Sequence, residues 1–346
     1  MEISKKNHKW RSTIADVAMA AGVSRTTVSF VLNNTPGKSI SQATRQRVRK
    51  AAQDLGYRPN VYAQALGRGH TNEIAHIFFE PVHTFLGDRW IEPVQNRTRE
   101  LGYTAGTYMY RGTSHQSIRG IIEDVLSRSP AGVITSSMYF TVDDWKRAQE
   151  MGVRACVFLD IEAADYATTV VTPISKVGQL IGKYFLERGD RHIASVVPIL
   201  PDQTNNNAWQ SYTQGLQSVL EKGDIKLSIF PMAPTLDSAR ATVNQLLSSR
   251  TRPTAIIGFT ATYALMLLRT LLEAKVRVPE DIAVASIEDT FVCNLVHPSL
   301  TSVSYDLGKV GTQQVDIADA LIRGEEPNPE LFVCPSPELI VRESTK

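Results

Sequence analysis

Little in this sequence invites covalent or metal chemistry. Its three cysteines, Cys156, Cys293 and Cys334, are widely spaced with no CxxC among them. That pattern argues against a zinc site or a disulfide framework and fits reduced, buried thiols in a cytoplasmic protein. No P-loop or GxGxxG opens a helix, and the Ser, His and Asp residues form no nucleophile elbow. His76, His83, His115, His192 and His297 lack metal-ligand spacing, and each reads as a capped or surface imidazole. No apolar run exceeds strand length, so nothing is expected to span a membrane. Met1 to Trp10 is polar and basic, without the apolar core or small-residue cleavage site of a secretory signal. Internal repeats and low-complexity tracts are absent. These gaps predict a non-enzyme with no cofactor and no metal.

Net charge also looks scarce, at +2, but the total hides a polarised chain. Residues 1–72 carry 12 Lys or Arg against 3 Asp or Glu, a net +9, which leaves 25 basic and 32 acidic residues, or −7, in the remainder. A basic head on an acidic body points to a head that meets a polyanion. At 346 residues the chain suits a small head and a two-lobed body.

The head holds the most informative stretch, TIADVAMAAGVSRTTVSFVLNN at 13–34. Thr13 followed by Asp16 is a capping box opening a helix with Ile14, Val17, Ala18 and Ala21 on one face. Gly22 supplies the positive φ of a tight turn. Ser24 caps a second helix with an apolar stripe of Val28, Val31 and Leu32, while Arg25, Thr26, Ser29 and Asn33 lie opposite. Two short helices around a Gly turn form a helix-turn-helix, whose second helix fits a DNA major groove. The competing reading is a helical hairpin at the edge of some other domain. A third helix starts at Ser41, with Val48, Ala51, Ala52 and Leu55 inward and Arg45, Arg47, Arg49 and Lys50 outward, touching phosphate or solvent. Pro59 blocks its continuation. The weak pattern Val61, Ala63, Ala65, Leu66 is too short for a helix alone in water.

From Glu73 strands and helices alternate. Strands are expected at 74–79, 104–109, 131–135, 153–159, 192–197, 225–230, 254–258, 282–287 and near 338–342. Helices are expected at 90–101, 114–127, 141–150, 175–188, 207–221, 236–249, 261–274 and 308–322. This predicts an α/β body of two doubly wound parallel sheets, with a ligand cleft at the carboxyl ends of the strands.

The run from Thr13 to Leu66, with TRQRVRKAAQDLGYRPNVYAQAL closing it, resembles the lactose-repressor/galactose-repressor (LacI/GalR) family. The body, with VPEDIAVASIED and HPSLTSVSYD, is similar to that family's periplasmic-binding-protein-like core. The resemblance implies a basic tail at 1–12, a DNA-binding domain at 13–57, a hinge helix and linker at 58–72 and a core at 73–346. Within that core the implied N-lobe spans about 73–172 and 305–336, and the C-lobe about 174–303 and 338–346. It also implies a homodimer, with a tetramer left open, on a near-palindromic double-stranded operator, controlled by a small-molecule effector. Repression is the family default; an activating or effector-independent regulator is the alternative.

By the same resemblance Arg25 and Thr26 meet base edges, while Thr13, Ser24, Thr27, Asn33 and Tyr57 contact phosphates. Ser29, Asn60 and Ala63 join the DNA-facing set, and Leu66 enters the minor groove at the operator centre. Phe30 departs from the pattern, standing where many members carry Arg or His. Either it packs on a thymine methyl or that readout is missing. The implied effector positions are Phe79, Pro173, Tyr212, Ala261, Glu288 and Tyr305. Pro173, Ala261 and Glu288 each stand in place of an Asp, and Tyr212 in place of an Arg. A sugar needs fixed polar partners for its hydroxyls, so this set does not carry over a sugar; Tyr212 is expected either to stack on a ring or to be structural. A solute-binding protein would share the body but have an export signal in place of the basic head.

Overall fold

The computed structural model describes residues 12–32, 37–57, 69–79, 87–110, 115–199 and 207–346. The chain divides after Thr71 into two compact units, a head and a body.

In the head, α1 (Ile14–Ala21), α2 (Arg25–Leu32) and α3 (Gln42–Asp54) enclose Val17, Ala18, Ala21, Val28, Val31, Val48, Ala51 and Ala52. Thr13 and Asp16 form the reciprocal capping box, and Gly22 closes α1 in the left-handed region at φ 64°. Ser24 Oγ accepts the Thr27 amide at 3.0 Å, and Ser41 Oγ accepts that of Thr44 at 3.2 Å. Leu55 departs from the expected stripe. It is the C-cap of α3 and 37% exposed, because the helix ends before that position turns back toward the core. Among the outward cations of α3, Arg45 and Arg47 are also used internally. Arg45 donates to the carbonyls of Ile40 and Lys38, and Arg47 to that of Ala21 at the end of α1.

The body holds two sheets. The first is built from β1 (Glu73–Phe79), β2 (Thr104–Tyr110), β3 (Gly132–Thr135), β4 (Ala155–Asp160) and β5 (Thr168–Val171), in the order β2-β1-β3-β4-β5, all parallel. Its helices are α4 (Glu92–Glu100), α5 (His115–Ser127) and α6 (Val142–Glu150). The second contains β6 (His192–Pro198), β7 (Lys226–Met232), β8 (Ala255–Gly258), β9 (Ala283–Ser286), β10 (Thr301–Ser304) and β11 (Glu338–Ile340), ordered β11-β10-β9-β8-β6-β7. Helices α7 (Ile174–Arg188), α8 (Asn207–Leu220), α9 (Leu236–Ser248) and α10 (Ala261–Glu273) accompany it. The chain leaves the first sheet at Val171, and α11 (Leu307–Arg323) returns to it, packing Val310, Val315, Ile317 and Ala318 against Ile74, Trp90 and Val94.

Three features depart from the expected alternation. Strands β5 and β10 escaped notice because each has four residues, rich in Thr and Ser rather than a continuous apolar run. The helix expected from residue 90 begins as α at Glu92, after a π-helical turn Gly87–Ile91. Strand β11 runs antiparallel to β10, so the second sheet is mixed at that edge.

Candidate DNA-binding face and ligand cleft

The outward side of α2 is set by its own N-terminus. With Val28 and Val31 fully buried, the helical period turns Arg25 and Thr26 to solvent and leaves Ser29 and Phe30 partly exposed. The hydroxyls assigned to phosphates are already engaged. Thr13 gives both its amide and its hydroxyl proton to Asp16 Oδ2, at 2.7 and 2.8 Å. These bonds hold the Asp16 carboxyl below its ordinary range. The hydroxyls of Ser24 and Thr27 share one hydrogen bond at 2.9 Å, leaving one hydroxyl proton to donate outward. Tyr57 is partly buried against the head core, its amide donating to Ala52 O at 2.8 Å, and burial raises its phenol pKa. Asn33, Asn60, Ala63 and Leu66 lie outside the described residues.

In the body, the order β2-β1-β3 reverses chain direction across the sheet at β1/β3, and the order β7-β6-β8 does so at β6/β8. Crevices at such switch points, beyond the carboxyl ends of the strands, receive ligands in open α/β folds. On the first sheet this edge carries Asp160, the last residue of β4. Its carboxylate accepts Ser136 Oγ at 2.5 Å and the Ser137 amide at 2.8 Å. Burial raises its pKa against those hydrogen bonds. On the second sheet Glu288 Oε2 accepts the Ala261 amide at 3.1 Å, placing a carboxylate at the positive end of α10. Thr260, the residue before α10, is 5% exposed, and its hydroxyl has no hydrogen-bond partner among the described residues.

Arg89 from the π-helical turn links the two sides. Its guanidinium donates to the backbone carbonyls of Asp289 and, at 2.7 Å, of Tyr305. Asp289 is itself held by Arg342 at 2.8 Å and by Ser302 Oγ at 2.5 Å.

The structure places the implied effector positions as follows. Tyr212 is fully buried in the core of the second lobe, where it meets Phe259 edge-on at 5.8 Å and receives Ser195 Oγ at 3.3 Å. Beside it α7 and α8 pack backbone to backbone, since a Cβ on Gly178 would strike Tyr212 O and one on Gly215 would strike Ser175 O. The buried Tyr212 ring cannot stack on a ligand. Ala261 is also buried and offers only its amide, which Glu288 takes. Pro173 precedes α7 and caps nothing with its side chain. The Tyr305 hydroxyl is buried beside the Cys334 thiol, and burial, aided by that thiol, pushes its phenol pKa far up. The side chain of Phe79 lies outside the described residues. Asp160 and Arg89 were missed. A lone acid ending the apolar run ACVFL signals the first; nothing in sequence signals the second, whose partners lie about 200 residues away.

The expected imidazoles and thiols divide in the same way. His76 is fully buried in β1, neither capping nor at the surface. Thr98 Oγ1 donates to Val94 O, so it accepts from His76 Nε2 at 3.2 Å; burial lowers the imidazole pKa to about 3. Cys156 and Cys293 are buried, and Cys334 only partly so. Among the described residues no group of side chains could hold a metal ion, and no single helix is long and apolar enough to cross a membrane.

Comparison with known proteins agrees with this two-part reading. Residues 13–60 match the family described as bacterial regulatory proteins, lacI family, and residues 183–345 match a periplasmic binding protein-like domain. The chain is 27% identical to the helix-turn-helix transcriptional repressor PurR of Vibrio vulnificus, over 97% of this chain and 99% of that protein. It is 27% identical to the transcriptional regulator DegA of Bacillus subtilis, over 97% and 98% of the two chains. Its fold is similar to the Lac repressor dimer bound to operator and an anti-inducer, with a TM-score of 0.77 at 23% identity, covering 97% of this chain and 99% of that one. A helix-turn-helix head with a capped, outward-facing second helix, joined to a two-sheet body of this topology, identifies the chain as a member of the LacI/GalR family, a DNA-binding transcriptional regulator.

Proposed function

We propose that the chain is a repressor that binds a near-palindromic operator as a homodimer and is controlled by a small molecule in the cleft of the body. The observation that carries this reading is the α2 surface, where Arg25 and Thr26 stand exposed at the helix start over a core made by the opposite face. A guanidinium there suits bidentate pairing with guanine O6 and N7. Residues 13–57 are the reading head, residues 58–72 the hinge and residues 73–346 the effector core. The effector is not a sugar gripped by the family's polar set. Pro173, Tyr212 and Ala261 offer it no side-chain hydrogen bonds, and Glu288 is directed to α10. Asp160, partly exposed at the carboxyl end of β4, supplies a polar contact instead.

Selection of bound DNA from a random library with the full chain tests the reading. A palindromic consensus is expected, and affinity for it falls by about 10³–10⁵ between roughly 50 and 200 mM salt. Arg25→Ala weakens binding by about 1–3 kcal/mol per half-site and relaxes one base position. Binding that is indifferent to salt, or an Arg25→Ala loss equal on operator and random DNA, overturns it.

A further inference from the structure

Phe30 is the one residue on the outer side of α2 that has no polar atom to read with, yet it lies four positions after Thr26, on the same face. What rests on its ring is a cation. Lys38 Nζ sits 5.0 Å from the ring centroid, within the range where an aromatic quadrupole attracts an ammonium. The backbone of Lys38 is fixed as well. Its carbonyl accepts the Ile40 amide at 2.9 Å and Arg45 Nη2 at 3.4 Å, and Arg45 Nε reaches Ile40 O at 3.4 Å. The exposed lysine is therefore tied to α3 by its main chain and to α2 by its side-chain tip.

We propose that Lys38 is a base-reading residue and that Phe30 is its positioning residue. The ring holds the ammonium over the reading side of α2, and the ammonium N–H bonds that point away from the ring meet the O6 and N7 acceptors of a guanine in the major groove. A free lysine stem would lose its rotamer freedom only on binding; here the ring has already removed part of it, and the Arg45 bonds fix the backbone from which the stem springs. The ring that carries the ammonium is on the outward face of α2, four residues from Thr26, which favours a base edge over a phosphate oxygen. This rests on the reading that α2 enters the major groove.

The test uses the full chain in random-library selection, followed by affinities on the selected operator and on variants of it. Lys38→Met keeps the stem and removes the charge. It should relax preference at one base position per half-site, with a loss of roughly 5- to 150-fold on the preferred guanine and little on a site lacking it. Phe30→Leu should relax the same position and add nothing in the Lys38→Met background. An equal loss on operator and random DNA would make Lys38 a phosphate contact and overturn the proposal. So would a Phe30→Leu loss that persists without Lys38 and follows a thymine, which would assign the ring to a methyl group. Arg25→Ala separates the two levels. If it relaxes its own position while Lys38→Met relaxes none, the Lys38 assignment alone fails; if neither relaxes any, the groove reading fails with it. Circular dichroism of each variant should match the parent, since Lys38 is exposed and Phe30 lies outside the buried core.

Discussion

The head and the body reach a defined structure by different means. Among the described residues the head buries eight core side chains, all Val or Ala, and a core so small contributes little against the entropy of ordering the chain. Its geometry is written instead in local chemistry: a capping box at Thr13, N-caps at Ser24 and Ser41, a left-handed glycine between α1 and α2, and Arg47 closing the end of α1. The body adds large buried side chains to caps of its own, among them a capping box at Thr141. Phe140, Phe158, Phe185, Tyr212 and Tyr263 are fully buried, and its lobes are specified by how large side chains interlock. One region tolerates a small core because caps fix each turn; the other tolerates a helix start with no side-chain cap, as at α7, because packing leaves no alternative.

Three measurements sharpen or break that contrast. Phe158, edge-on to Phe140 and Tyr166, should cost the body about 3–5 kcal/mol when replaced by Ala. Urea unfolding followed by tryptophan fluorescence should show it, with amide exchange in residues 13–57 unchanged; an equal loss in both regions would mean one cooperative unit. Acid should act on the body next. His76 is neutral when folded and has an ordinary imidazole pKa when unfolded, so its contribution is fully present above about pH 6.5. It declines as pH falls toward 3, because only the unfolded chain takes up the proton. From roughly pH 6.5 to 5 that amounts to about 2 kcal/mol. His76→Gln should flatten the urea midpoint between pH 7 and 5; an unaltered slope would place acid sensitivity elsewhere. The smallest effect falls on the head. Thr13→Ala and Ser24→Ala should each cost about 1 kcal/mol, read as faster amide exchange across residues 13–32 with the body unaffected.

The same contrast explains what could be read from sequence. The head was legible almost residue by residue, because Thr13–Asp16, Gly22 and Ser24 act on neighbours one to four positions away. Leu55 misled because its period continues past the point where the helix stops. In the body the order of elements was legible from apolar periodicity, but β5 and β10 were too short and too polar to register. The cleft was least legible. Tyr212 was drawn toward a ligand by its place in the chain, while its ring is enclosed among core side chains distant in sequence, such as Ile181, Ile257 and Ala285. Asp160 was passed over because it gains meaning only beside Ser136, twenty-four positions earlier.

The link through Arg89 sets which positions evolution is free to vary. Both of its acceptors are main-chain carbonyls, so any residue at 289 or 305 that keeps the backbone in place preserves them. The donor has no such latitude. A forked guanidinium spans two carbonyls at once, whereas a lysine ammonium is a single point of charge on a flexible stem. Substitution of the side chains around it therefore leaves this joint between the lobes intact, so long as those two carbonyls keep their places.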